Sequence, residues 1–236
     1  MKKSLLFAVL FSFTINTTVQ AQLKEEAYDL WDLLIGGKVG ASASTLTKTG
    51  GDVKIWPTVG IYTEVFVNPH FSMTFEAAYS RKGANNVIVD EWKFGNLSEE
   101  NRQLYQEQVP YGSAHPYTFN LDYMTTSYFL KYYIKQDVDV PVQLAFYTGL
   151  SFGTLVNARA KVDDTSHNIK KHLHGGDFSI PLGVEVLLGR NFTIDGRWNW
   201  SPRKIANNDS ELGKVLFGPA RNQHFSLTVG YKIMVF

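Results

Sequence analysis

Between Phe192 and Ser201 the chain keeps a strict period of two, with Phe192, Ile194, Gly196, Trp198 and Trp200 opposing Thr193, Asp195, Arg197, Asn199 and Ser201. Successive side chains of an extended strand point to opposite faces, so such a segment separates an apolar surface from a polar one. The pattern recurs. Phe178, Ile180, Leu182, Val184 and Val186 alternate with Ser179, Pro181, Gly183, Glu185 and Leu187, and Phe225, Leu227, Val229, Tyr231 and Ile233 with Ser226, Thr228, Gly230 and Lys232. Less pure versions run through Gly37-Val39-Ala41, Val59 to Val65, Phe71 to Ser80, about Tyr123 to Ile134, and Val142 to about Arg159. Eight strands result.

The medium around them follows from the start of the chain. Met1-Lys2-Lys3, an apolar stretch from Leu5 to about Ile15, and Val19-Gln20-Ala21 have the form of a secretory signal peptide, residues 1–21, cleaved after Ala21 to leave one domain, 22–236. That apolar stretch is too short to cross a bilayer as a helix. The chain is 44% hydrophobic and 14% aromatic, yet beyond residue 21 it has no apolar run of the roughly 18 residues a transmembrane helix needs. A helical membrane protein is excluded. Two classes survive, an exported soluble β-protein and a membrane barrel whose apolar residues occupy alternate positions.

Connection lengths separate the two. Gaps are long at 45–54, short at 68–70, very long at 81–120, short at 135–141, long at 160–176, short at 189–190 and long at 202–221. Such alternation marks an all-β, eight-stranded antiparallel transmembrane barrel, an up-and-down meander with short periplasmic turns and long outer loops. Aromatics at strand ends fit the two head-group girdles: Trp56, Tyr79, Trp198 and Trp200 the outer one, Tyr132 and Tyr231 part of the inner one. The faces opposite the apolar sets carry Lys38, Glu64, Glu76, Lys131, Arg159, Glu185, Asp195, Arg197 and Lys232. Eight strands enclose a lumen that side chains nearly fill, so these charges are expected to form a paired network, with Glu185 and Arg197 on adjacent strands the nearest pair.

Chemistry beyond this is sparse. A net charge of +1 gives no basic face for nucleic acid, and with no cysteine there is neither disulfide nor thiolate metal site. His172 and His174 in the third outer loop are weak candidates for a divalent metal, beside the repelling Lys170 and Lys171. His224 near Ser226 is the one place where a hydrolytic pair could be sought. No cofactor is called for. In the 81–120 loop, Ser98 could cap a short helix, and the length of that loop suits a plug or a partner-binding element.

Several runs carry a resemblance to a family: Gly36-Gly37-Lys38-Val39-Gly40 with Ser42, Glu76-Ala77-Ala78-Tyr79-Ser80-Arg81-Lys82-Gly83, Leu130-Lys131-Tyr132-Tyr133, Tyr147-Thr148-Gly149 with Gly153, and Leu227-Thr228-Val229-Gly230-Tyr231-Lys232-Ile233. Together and in order they resemble the PorT-like, or porin-family, small outer-membrane β-barrels. Two departures stand out. Ser127 occupies a place where the family often has proline, and Tyr231-Lys232-Ile233 is followed by Met234-Val235-Phe236, whose terminal aromatic is out of register with the outward set. The resemblance implies a cell outer-membrane location and a non-enzymatic barrel, structural or partner-binding, as an accessory of an envelope secretion system of the type IX kind. Its partners would be outer-membrane lipid and other envelope proteins met through the outer loops. A lipid-modifying barrel enzyme or a narrow-pore porin is the alternative.

Overall fold

The computed structural model describes residues 31–90, 97–108, 115–134, 141–189 and 191–234. Residues 1–21, expected to be a signal peptide, and Phe236 lie outside them. The elements run β1 (Leu33–Leu46), β2 (Lys54–Asn68), β3 (Phe71–Val87), α1 (Glu99–Gln108), β4 (Tyr117–Tyr133), β5 (Val142–Val162), β6 (Thr165–Asn168), β7 (Gly176–Leu188), β8 (Phe192–Lys204), α2 (Glu211–Phe217) and β9 (Arg221–Met234). Each long strand pairs antiparallel with its neighbours, β9 pairs with β1, and β4 pairs with β5, so the sheet closes on itself. Closure leaves no strand edge in the wall, which a span through hydrocarbon demands. β6 is a short addition that pairs only with the upper end of β5.

The burial pattern is that of a barrel wall in lipid. Outward Ile61 is 68% exposed, Met73 59% and Leu227 54%, while inward Glu64 and Lys232 are 0% exposed. No soluble protein gains by exposing its aliphatics and burying its charges. Two inward tyrosines fill the lumen by lying over glycines of the adjacent strand. A Cβ on Gly36 would collide with the Tyr62 ring, and one on Gly183 with the Tyr147 ring. Only glycine admits that approach.

The strands are longer than expected from sequence. A tilted membrane strand needs about 9–11 residues, whereas β3 and β4 have 17 each and β5 has 21. The surplus rises on the long-loop side. There the 81–120 connection contracts to 88–116 and holds α1, whose start at Glu99 follows Ser98, and the 160–176 connection becomes the β5–β6 hairpin and a short 3-10 turn. Inside the raised wall a second core forms from Leu46, Val89, Leu97, Phe119, Leu121, Leu155, Ile169, Leu173 and the buried face of α2. Ser210 caps α2 by accepting from the Gly213 N–H at 3.0 Å, and Phe217 meets Phe119 with ring centroids 4.5 Å apart. Among the described residues the mouth is thus filled chiefly by the 202–221 loop, with the 88–116 connection adding Val89 and Leu97.

One expected lumen residue faces the other way. Tyr123 pairs with Leu155 and Asp122 with Asn157, leaving Val156 as an extra residue, a bulge that reverses the faces of β5 above it. Ala158, Ala160 and Val162 turn inward above Leu155, and Arg159, assigned to the lumen by unbroken alternation, is exposed on the outside.

Candidate functional site

The inward charges gather in layers along the lumen. Nearest the short turns, Glu64 (β2), Lys131 (β4), Glu185 (β7) and Lys232 (β9) form a ring of alternating sign. Lys131 Nζ lies 2.8 Å from Glu185 and 3.5 Å from Glu64, and Lys232 Nζ 3.0 Å from Glu64 and 3.7 Å from Glu185. Ser72 and Tyr133 donate to the same Glu64 oxygen at 2.6 and 2.7 Å.

Higher up, Arg197 (β8) makes two 2.9 Å bonds to the two oxygens of Glu76 (β3) and donates through Nε to Tyr147 at 2.8 Å. The Tyr147 hydroxyl donates to Asp195, and Lys38 (β1) pairs with Glu76 from the other side. Arg197 therefore meets Glu76 across the lumen and not Glu185. The ladder explains why: Arg197 is level with Gly183, while Glu185 is level with Asp195 and takes Lys131 instead.

A third layer, missed in the sequence, joins Lys82 Nζ to Asp177 at 2.9 Å, with Ser201 and Asn222 donating to Asp177 at 2.5 and 3.1 Å. Its residues continue the inward alternation past the expected strand ends, from Ser80 to Lys82 and from Ser179 back to Asp177. Extending the two periods by one step would have found them.

Each layer balances. The first holds two cations and two anions, the second Lys38 and Arg197 against Glu76 and Asp195, the third one of each. Between the second and third lies a cavity of about 30 Å³ lined by hydroxyls of Ser42, Thr58, Ser80, Ser127, Ser151 and Ser226, and by His224 and Asn199. That volume admits about one or two waters, a fitting partner for the buried and otherwise unpaired Asn199 Nδ2.

The remaining candidates are scattered. His224 and Ser226 both line that cavity, and each inward carboxylate described above already has its cation, so none is left to orient the imidazole. His172 Nδ1 contacts the capping Ser210 hydroxyl at 2.7 Å, and His174 N–H donates to Ile205, so their contacts belong to the mouth. Burial and neighbouring positive charge hold both imidazoles below the ordinary histidine range. Among the described residues no three or more His, Asp or Glu side chains converge as metal ligands. Trp56, Tyr132, Trp198 and Trp200 are exposed on the outside of the wall, and Tyr79 and Tyr231 are half-buried there.

A closed antiparallel ring with an apolar exterior and a charge-paired lumen defines an integral outer-membrane barrel. Residues 20–207 match the model of the family described as Outer membrane protein beta-barrel domain, and the chain belongs to that family. No curated protein matches it by sequence. Among solved structures it is similar to Ail of Yersinia pestis (14% identity, 86% of this chain and 99% of that one, TM-score 0.43). It is also similar to OprG of Pseudomonas aeruginosa (11%, 89% and 99%, 0.42) and to a major outer membrane protein of Thermus thermophilus (13%, 84% and 99%, 0.46).

Proposed function

We propose that the protein is a non-conducting, non-enzymatic outer-membrane barrel that is structural or binds partners through its outer loops. The observation that carries this reading is the stacking of three charge-balanced layers beneath an apolar cap. An ion entering such a lumen finds no surplus charge to attract it and would have to separate buried pairs, at a cost of several kcal/mol. A place beside a type IX-like secretion machine, implied by the PorT-like resemblance, is one such partnership. Export by cleavage after Ala21 belongs to the same reading, and N-terminal sequencing of the protein from envelopes tests it.

Reconstitution in planar bilayers tests the lumen: no discrete conductance steps are expected, and stable steps would favour the narrow-pore alternative. Photo-crosslinkers at the exposed loop positions Gly50 and Asp164 should capture envelope proteins in intact cells. Capture of lipid alone would leave a purely structural role.

A further inference from the structure

Outside the barrel, at the level where the lipid wall ends, one carboxylate faces the membrane. Asp122 lies on the outward side of β4, two residues from the exposed Met124, while its chain neighbours Leu121 and Tyr123 are buried in the mouth. A carboxylate there must be satisfied by the protein, and it is. Arg81 donates to both oxygens at 2.5 and 3.2 Å, Tyr79 at 2.9 Å and Asn157 at 3.0 Å. The guanidinium also stacks 4.4 Å from the Trp56 ring, so Arg81 is held by a carboxylate and an aromatic face while remaining a quarter exposed.

Two further cations surround it. Lys170 reaches back to the carbonyl of the bulged Val156 at 3.0 Å, next to Asn157, and Arg159, turned out by the same bulge, stands two residues further up β5 without an ion pair among the described residues. Three cations and one anion leave a surplus of two positive charges, to which Lys54, 5.8 Å from the Trp56 ring, adds.

We propose that this outward patch on β3–β5 binds the phosphate of an outer-leaflet lipid headgroup, with Arg81 as the preoriented donor and Lys170 and Arg159 completing the charge. A rigid guanidinium is suited to phosphate oxygens, and basic residues at head-group depth attract anionic lipid. A lipid and not a free anion is the occupant, because the wall directly below, at Met124 and Phe152, is apolar and exposed and would meet its acyl chains. The inference rests on the outer-membrane placement alone and is independent of whether the lumen conducts.

The test uses delipidated protein in detergent and native mass spectrometry with three probes: phosphorylated lipid A, lipid A stripped of phosphate, and inorganic phosphate. Phosphorylated lipid A should bind about tenfold or more tightly than the stripped form, and inorganic phosphate at millimolar concentration should not displace it. R81Q/R159Q/K170Q should abolish the preference. Because R81Q orphans Asp122, R159Q/K170Q, which keeps that pair, should still lose several-fold, and K48Q on the β1–β2 turn should change nothing. Equal binding of the two lipids, or an unaltered preference in R159Q/K170Q, overturns the site. Displacement by inorganic phosphate overturns the choice of a lipid.

Discussion

At membrane depth the wall is apolar outside and charged within; above it, the same strands are apolar within and charged outside. The lower lumen buries Glu64, Lys131, Glu185 and Lys232, while the mouth buries Phe119, Leu155, Ile169 and Phe217. Solvent explains the inversion, since side chains follow the medium on each side and the hydrogen-bonded ladder is indifferent to it. Two strands change over by different means. β4 keeps Tyr117, Phe119, Leu121 and Tyr123 on the inward face that further down carries Ser127, Phe129 and Lys131, so the residue type changes on a fixed face. β5 keeps its apolar phase through Phe146, Leu150, Phe152, Val156, Ala158, Ala160 and Val162 and lets one bulge reverse the face.

Ala158→Arg attacks that boundary directly. It would set an unpaired cation on the inward face that the bulge creates, in the apolar mouth, and cost on the order of 5 kcal/mol or more in the outer core. Rapid proteolysis of the outer loops with a protected lower barrel is the expected result, and unchanged protection would remove the bulge from the explanation. Next in size, Arg197→Leu leaves Glu76 and Asp195 with Lys38 as the one cation of their layer and should cost about 3–5 kcal/mol by urea unfolding in lipid vesicles. Glu76→Leu with Arg197→Leu should cost less than the two singles added, and the coupling of Glu76 with Arg197 should exceed that of Glu185 with Arg197. On the opposite face, Leu182→Arg near the middle of β7 should cost about 2–4 kcal/mol in the same assay, an effect a water-exposed position would not show.

Smaller effects belong to the mouth, where water is near. Ser210→Ala removes the α2 cap and should cost about 1 kcal/mol, seen as faster amide exchange in α2 alone. His172, beside that cap, is held below its ordinary pKa by burial and then by Lys171. Protonation therefore favours the opened loop. The contribution is complete above the unfolded value near 6.5 and is lost as the pH falls below it toward the depressed folded value. After correction for intrinsic rates, exchange in α2 should rise between pH 7 and pH 5, and His172→Asn should flatten that rise.

What was legible in the sequence follows from the same contrast. In the membrane the medium is uniform and a period of two has one meaning, so Trp198 and Arg197 fall on their faces from alternation alone. Above it the period persists while its meaning changes, and nothing local to Arg159 announces that Val156 has no partner. Pairings across the lumen were illegible for another reason. Glu76 and Arg197 lie 121 residues apart, and their meeting depends on the closure and stagger of the whole ring. Lys82 and Asp177 were missed because polar strand ends resemble loop.

The ring of Glu64, Lys131, Glu185 and Lys232 has a consequence for the order of events during biogenesis. Its members come from β2, β4, β7 and β9, and the last cation arrives with the final strand. A sheet awaiting β9 holds two carboxylates against one ammonium, a net −1 at its centre, and has no partner for the free edge of β1. The docking of β9 closes the hydrogen-bonded seam and cancels that charge in one step. Premature release into lipid is thereby penalised twice over, by an open strand edge and by an uncompensated buried charge.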